Sequence, residues 1–337
     1  MEFDLKMTAG MGTADDYVIF AKAGADEVFC GFVPAEWNLK FGNMQPLNRR
    51  EVLFYHVQIG SYQEMRILKR MQEKYKIPVA VTFNALYYTE PQIVCILSMM
   101  KKLVEIGFKD FIICDMGLLL AMKREKLDCN IHISGEIGEW NRYTLELLQQ
   151  ICSNEDEKNT GQSNIYLKRI IFHRKNTLAD MQFIIKYGKG LNPDMEFEAF
   201  FLNEMCHFTG GFCNSIHCDE MVHMCQMPYE LVPVREEVDV GVESVDCEVW
   251  DEIPGESGCG FCALWRLAEI GITHLKIVGR GKSISYMEKD VENVRKAIGI
   301  LEESFSEAEY LRRMKQEIFT GKCSGNCYYR ETAEKDL

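Results

Sequence analysis

The stretch PVAVTFNALYYTEPQIVCILSMMKKLVEIGFKDFIICD (78–115) decides the fold. It opens on a near-continuous apolar run, 78–88, which reads as a strand buried on both faces. A helical pattern over 91–106 follows and ends at Gly107, a residue that stops helices well. A second apolar run, DFIICD (110–115), comes directly after. Strand, helix, strand in this order is the unit from which parallel sheets are built.

The same alternation extends in both directions. EFDLKMTA (2–9) reads as a strand, 13–24 as a helix closed by Gly24, and DEVFCGF (26–32) as a second strand. A helical stretch near 49–75 follows Asn48, a candidate cap. Beyond 115, NIHISGE (130–136) leads into a helix over 141–152, and LKRIIFH (167–173) into one over 177–187. MEFEAFFLN (195–203) is the seventh strand and THLKIVGR (273–280) the eighth, with a long helix over 284–304 after it. Eight such units predict a closed (β/α)8 TIM-like barrel, with a doubly wound open sheet as the alternative. The predicted barrel spans 1–305 and includes a Cys-rich insertion, 204–265, between the seventh and eighth strands; 306–337 forms a C-terminal helix and tail.

Composition narrows the function classes. The 337 residues are 47% hydrophobic, enough to bury one large core. Lys and Arg number 38 against 51 Asp and Glu, a net charge of −13, which disfavours a nucleic-acid partner. The start MEFDLKMTAG lacks the basic and apolar regions of a signal peptide, and no apolar run approaches a membrane span. The expectation is a cytoplasmic, reducing compartment, where 14 cysteines would stay open as thiols.

Six of those thiols crowd the insertion: Cys206, Cys213, Cys218, Cys225, Cys259 and Cys262. Gly210 and Gly211 let the chain curl between Cys206 and Cys213, and Cys259-Gly-Phe-Cys262 is a CxxC pair. Soft thiolates suit an iron–sulfur cluster. They also suit zinc, since His207, His217 and His223 interleave with them. Spacing leaves both open, with a redox pair at Cys259 and Cys262 as a third reading. Cys95, Cys114, Cys129 and Cys152 read as packing, and Cys30 ends a strand at the expected active face. Cys323 and Cys327 offer a second metal pair, although the polar tail favours a structural or disordered role. Residues 229–253 alternate like a hairpin, and 153–164 read as a surface loop.

Loops after barrel strands build the active face, so the thiols after the seventh strand belong there. KIVGRGKS (276–283) adds Lys276, Arg280 and Lys282 beside a helix start, a pattern suited to an anion. Glu196 and Glu198 share one side of their strand. They would serve as acid and base, or pair with Arg169, Arg174 or Lys276. His132 and Arg174 lie on or just after strands and could face the substrate.

EFEAFFLNEMCHFTGGFC (196–213), with GITHLKIVGRGKSISYM (271–287) far downstream, resembles the collagenase-like peptidase family U32. The opening GADEVFCGF (24–32), SGE with Asn141, and Arg174 fit the same resemblance, which covers roughly 2–300. The family name records a protease assignment, while better-understood relatives are iron–sulfur proteins that add hydroxyl groups without molecular oxygen. The resemblance implies a four-iron (4Fe-4S) cluster held by Cys206, Cys213 and Cys225, with Cys259 or Cys262 as the fourth ligand. Taken with the residue patterns above, the expectation is a small anionic substrate at Arg280, Lys282, Lys276 and His132, with Glu196, Glu198 and Arg174 near the chemistry. An electron donor and a related subunit in a heteromer are the implied partners. The rival readings are a protease with Cys206 as nucleophile, and a non-catalytic iron–sulfur partner subunit.

Overall fold

The computed structural model describes residues 3–42, 46–49, 57–138, 140–152, 165–206, 254–319 and 323–332. Eight parallel strands close into a barrel: β1 (Lys6–Met11), β2 (Glu27–Phe32), β4 (Val79–Phe83), β5 (Asp110–Ile113), β6 (Cys129–Ile133), β7 (Ile165–Ile171), β8 (Glu196–Leu202) and β9 (His274–Ile277). Pairing of β1 with both β2 and β9 closes the ring. The predicted TIM-like barrel is therefore the fold. A two-residue strand, β3 (Gln58–Ile59), pairs with the last two residues of β2.

The deciding stretch folds as read, with one shortening. β4 stops at Phe83, because 84–89 form a loop at the strand's C-terminal end. Tyr88 fixes that loop: its hydroxyl donates to the Leu47 carbonyl at 2.6 Å and its N–H to Asp115 at 2.9 Å. Helix α4 (Glu90–Ile106) starts on a capping box in which Thr89 and Gln92 exchange hydrogen bonds. It ends at Gly107, whose φ of 110° only glycine adopts readily. β5 then enters beside β4.

Two other expectations shift. The first strand begins at Lys6, later than read. The helix expected over 49–75 is α3 (Tyr62–Tyr75), capped by Ser61. Asn48 is fully buried and accepts from the Thr82 hydroxyl at 2.6 Å, so it belongs to the barrel's upper end and caps no described helix.

The chain after β9 packs on the barrel. Helix α9 (Ile284–Glu303) lies against α1 (Asp16–Ala23), and α10 (Glu307–Met314) follows it. Tyr310 of α10 is buried and its hydroxyl donates to the Phe261 carbonyl at 2.7 Å. The tail 323–332 is seated, not loose: Cys327 bridges Cys259 in parallel, and Cys259 bridges Leu202 in antiparallel. The exit of β8, the segment around Cys259 and the tail thus form one layer.

The centre of the predicted insertion lies outside the described residues. That covers Cys213, Cys218, Cys225, the interleaved histidines and the hairpin over 229–253, as well as the loop over 153–164. Among the described residues, no helix is long and apolar enough to cross a membrane.

Candidate active site at the barrel mouth

Two charged groups occupy the barrel. The first lies toward the N-terminal ends of the strands and centres on Arg169 of β7, which is fully buried. Its guanidinium donates to Glu27 at 2.7 and 2.9 Å, to Glu196 at 2.8 and 2.5 Å, and to Glu198 at 2.9 Å. His274 Nε2 lies 2.8 Å from the same guanidinium. Glu198 also accepts from Lys276 Nζ at 2.5 Å. Burial opposes the charge of Glu198, but Lys276 and Arg169 outweigh it and hold its carboxyl down to about 2. Burial pushes Lys276 below the ordinary lysine range, and Glu198 offsets only part of that.

The two glutamates share a face, as strand alternation requires, and they are joined by ion pairs to Arg169 and Lys276. Glu196 opens β8, at the end of the barrel away from the loops that build an active face. His132 sits in the same lower group, with Nε2 3.3 Å from Asp110 at the start of β5. Glu27, Glu196 and His274 place their ligand atoms within 4.8 Å of one another, yet Arg169 already occupies their centre.

The second group lies at the C-terminal ends. Arg174, just after β7, donates to Glu136 Oε1 at 2.6 Å and lies over the Phe200 ring at 3.9 Å. Arg49 Nε stands 3.4 Å from Glu136 Oε2. Burial works against the Glu136 charge, but Arg174 and Arg49 prevail and hold it down to about 2. Arg280 follows β9 and turns into the barrel: its Nη1 reaches the Thr82 hydroxyl at 3.5 Å and its guanidinium lies 5.9 Å from the Phe29 ring. Two glycines make room for it. A Cβ on Gly31 would stand 2.6 Å from Arg280 Nη1, and one on Gly10 would stand 3.3 Å from its Cγ. Lys282 points elsewhere, to Asn203 Oδ1 at 3.2 Å and the Ser257 hydroxyl at 3.3 Å, while Ser283 caps α9.

Cys206 ends the described part of the β8 exit and is an electrostatic neighbour of Arg174 and Tyr328. Cys259 is an electrostatic neighbour of a different set, Cys262, Cys323 and Cys327, and burial pushes its thiol far up. Cys30 lies beside Arg280, but burial raises its thiol to about 12, which fits packing. The mouth thus gathers Arg174, Arg280 and Cys206, Lys276 joins it to the lower group through Glu198, and Glu196 and His132 stay in the lower group.

Sequence reasoning missed Arg49, Asn203 and Tyr328. Asn203 has left-handed φ (67°) and links three elements, donating to the Val278 carbonyl at 3.0 Å and Asp290 at 2.6 Å. It also receives the Tyr328 hydroxyl on its carbonyl. The clue for Asn203 was its position directly after an apolar strand. Nothing local marks Tyr328, whose place depends on the tail's pairing with Cys259.

A (β/α)8 barrel with a cationic, thiol-bearing mouth is the class that fold and site define. The chain belongs to peptidase family U32, whose family model matches residues 12–336. A protein of Methanocaldococcus jannaschii named as the uncharacterized protease MJ0090 is 22% identical over 338 residues, spanning 95% of this chain and 70% of that protein. Among solved structures, the U32 peptidase Mk0906 is similar at a TM-score of 0.45 and 10% identity, over 84% of this chain and 95% of that one. Dihydrodipicolinate synthase from Oceanobacillus iheyensis is similar at 0.45 and 8% identity, over 93% and 77%.

Proposed function

We propose that this protein is an enzyme that binds a small anion in the barrel mouth and carries out redox chemistry there with an iron–sulfur cluster, most simply an oxygen-independent hydroxylation. One observation carries the reading: a cysteine thiol, Cys206, leaves the C-terminal end of β8 within electrostatic reach of Arg174, at the end of the barrel where active sites are built. The donor chemistry fits the cofactor, since the described chain brings cysteine thiols, none in a disulfide, to this end. Cys206 would be a ligand, with Cys213 and Cys225 from the insertion and a further thiol completing the set. When bound, the cluster would supply one-electron chemistry.

The chain's own residues define the rest. Arg280 is held between Gly31, Thr82 and Phe29, so its guanidinium is fixed before an anion arrives. Among the described residues Arg174 shares one carboxylate with Arg49, which leaves positive charge for a ligand. Lys276 lies 4.0 Å from the Phe29 ring and can hold or release a proton close to the mouth, because burial lowers its proton affinity.

The second reading is a protease, which the name of the Methanocaldococcus relative favours. It needs a nucleophile with a base. Of the described histidines, His132 and His274 are committed to Asp110 and to the Arg169 group, while His173, buried directly before Arg174, accepts from the Lys175 N–H at 3.2 Å and is the histidine at the mouth. Iron and sulfide analysis, with assays for protein hydrolysis on the same sample, separates the two readings. Iron and sulfide that disappear in Cys206→Ser support the first. A colourless protein that cleaves denatured substrate and ignores chelators supports the second.

A further inference from the structure

We propose that Lys276 anchors a covalent step: its amine condenses with the carbonyl of a small 2-oxo acid to form an imine inside the barrel, while Arg280 holds the acid's carboxylate. The step uses the anion site of the proposed function, and so rests on that reading for Arg280, but it is independent of the cluster.

The sheet register places the amine. Lys276 of β9 lies opposite Thr8 of β1 and Phe200 of β8, so it shares the barrel's interior face with Glu198. Among the described residues it is the only buried lysine. Its Nζ donates to Glu198 Oε1 at 2.5 Å and stands 4.0 Å from the Phe29 ring and 6.0 Å from the Phe200 ring. The Arg280 guanidinium lies 5.9 Å from the same Phe29 ring, so amine and guanidinium share one aromatic wall. Glycine keeps that wall in place, since a Cβ on Gly10 would stand 2.8 Å from Phe29 Cζ. The Lys276 side chain retains 8% of its exposure, so the amine is not sealed from the mouth.

Charge favours the reaction. A lysine attacks a carbonyl as the neutral amine, and desolvation or a neighbouring cation is what makes that form accessible. Lys276 has both. Burial works most strongly against its ammonium; Glu198 favours the ammonium, and Arg169 and Arg280 add to the effect of burial. Glu198, already within hydrogen-bond reach, is the base that takes the departing proton. A 2-oxo acid carries its carboxylate on the carbon next to the carbonyl. An amine beside a guanidinium matches that pair of groups, with the fork of Arg280 for the carboxylate. An ion pair serving only to fill the barrel needs neither Arg280 alongside nor an opening to the mouth.

The step needs no oxidant or reductant. The nitrogen lone pair adds to the carbonyl carbon, forming the C–N bond. The C–O bond then breaks and the oxygen leaves as water. One ammonium proton reaches that oxygen through Glu198, and a second follows from nitrogen. The last stays on nitrogen, so the product is a cationic iminium. Charge is therefore the same before and after. The iminium keeps the ion pair with Glu198 and the contact with Phe29, and Glu198 carries a proton only in passing. The interactions that hold Lys276 in the resting protein thus also hold the adduct.

The test incubates the full chain, purified without oxygen, with pyruvate and cyanoborohydride, which reduces an iminium to a stable secondary amine. Peptide mass mapping reads the site. Lys276 should be labelled several-fold faster than Lys101, whose side chain is 49% exposed. Acetone, a carbonyl without a carboxylate, should show no such preference for Lys276. Malonate should slow the pyruvate labelling by competing for Arg280. Lys276→Arg should lose the adduct and keep its helical circular dichroism; if that variant does not fold, the site mapped in the unmodified chain decides. Iron and sulfide are measured on the same sample. Labelling of Lys276 in a chain without them would leave this proposal standing and count against the cluster, whereas an iron-loaded chain without the adduct would sink this proposal alone. No adduct on Lys276, labelling no faster than at Lys101, or the same preference with acetone would each overturn it.

Discussion

Arg174 Nη1 donates to Glu136 Oε1 at 2.6 Å, and Arg49 approaches the other oxygen of the same carboxylate at 3.4 Å. The three residues come from different loops at one end of the barrel, so their meeting is a product of the closed sheet. Among the described residues, two guanidiniums on one carboxylate leave a positive excess in a buried place. That excess is the feature a small anion would recognise.

Glu136 holds both arginines, so Glu136→Gln should leave two buried cations poorly paired. The expected cost is about 3–5 kcal/mol, read by chemical denaturation. Glu136→Asp should recover part of it. An unchanged unfolding midpoint for Glu136→Gln would contradict this account of the pairing.

The pH dependence has a definite sign. Glu136 and Glu198 are each held down to about 2 in the folded chain. A carboxyl with a depressed folded pKa stabilises the fold above its unfolded value of about 4.3. That contribution should fade as pH falls from there toward 2 and should change little above pH 5. Denaturation midpoints measured across this range should therefore drop on the acid side, and the drop should shrink in Glu136→Gln. A drop of equal size in that variant would show that Glu136 does not contribute.

Gly31→Ala probes Arg280 without touching it. The added Cβ would stand 2.6 Å from Arg280 Nη1 and 3.1 Å from the Gln58 Cβ. Overpacking of this kind costs about 1–3 kcal/mol, and the guanidinium is the group able to move. Calorimetry with a small dianion such as malonate should show affinity several-fold weaker than in the unmodified protein. Undiminished affinity would place the anion away from Arg280.

The barrel was legible because its strands are apolar throughout and its helices end on local signals such as Gly24 and Gly107. Arg280 was legible at the mouth for a similar reason, since it directly follows an apolar strand. The pairing of Glu196 and Glu198 with Arg169 and Lys276 was one of the two readings the sequence offered, whereas the place of His132 was not legible. A strand's alternation says which side a residue takes, but not how far along the barrel its partners lie, and Arg169 draws both glutamates into the lower ion group. The tail was read as a structural or disordered segment, with a second metal pair as the other option. Its contact with Cys259 depends on residues more than sixty positions apart, which no local pattern encodes.

The most direct test of a thiol-bound cluster at this mouth is the iron and acid-labile sulfide content of the protein purified without oxygen, compared with that of Cys206→Ser. The account predicts a coloured protein with iron and sulfide in matched amounts, both lost in the variant while the fold is kept. A colourless protein, or one whose iron and sulfide survive the loss of Cys206, would contradict it.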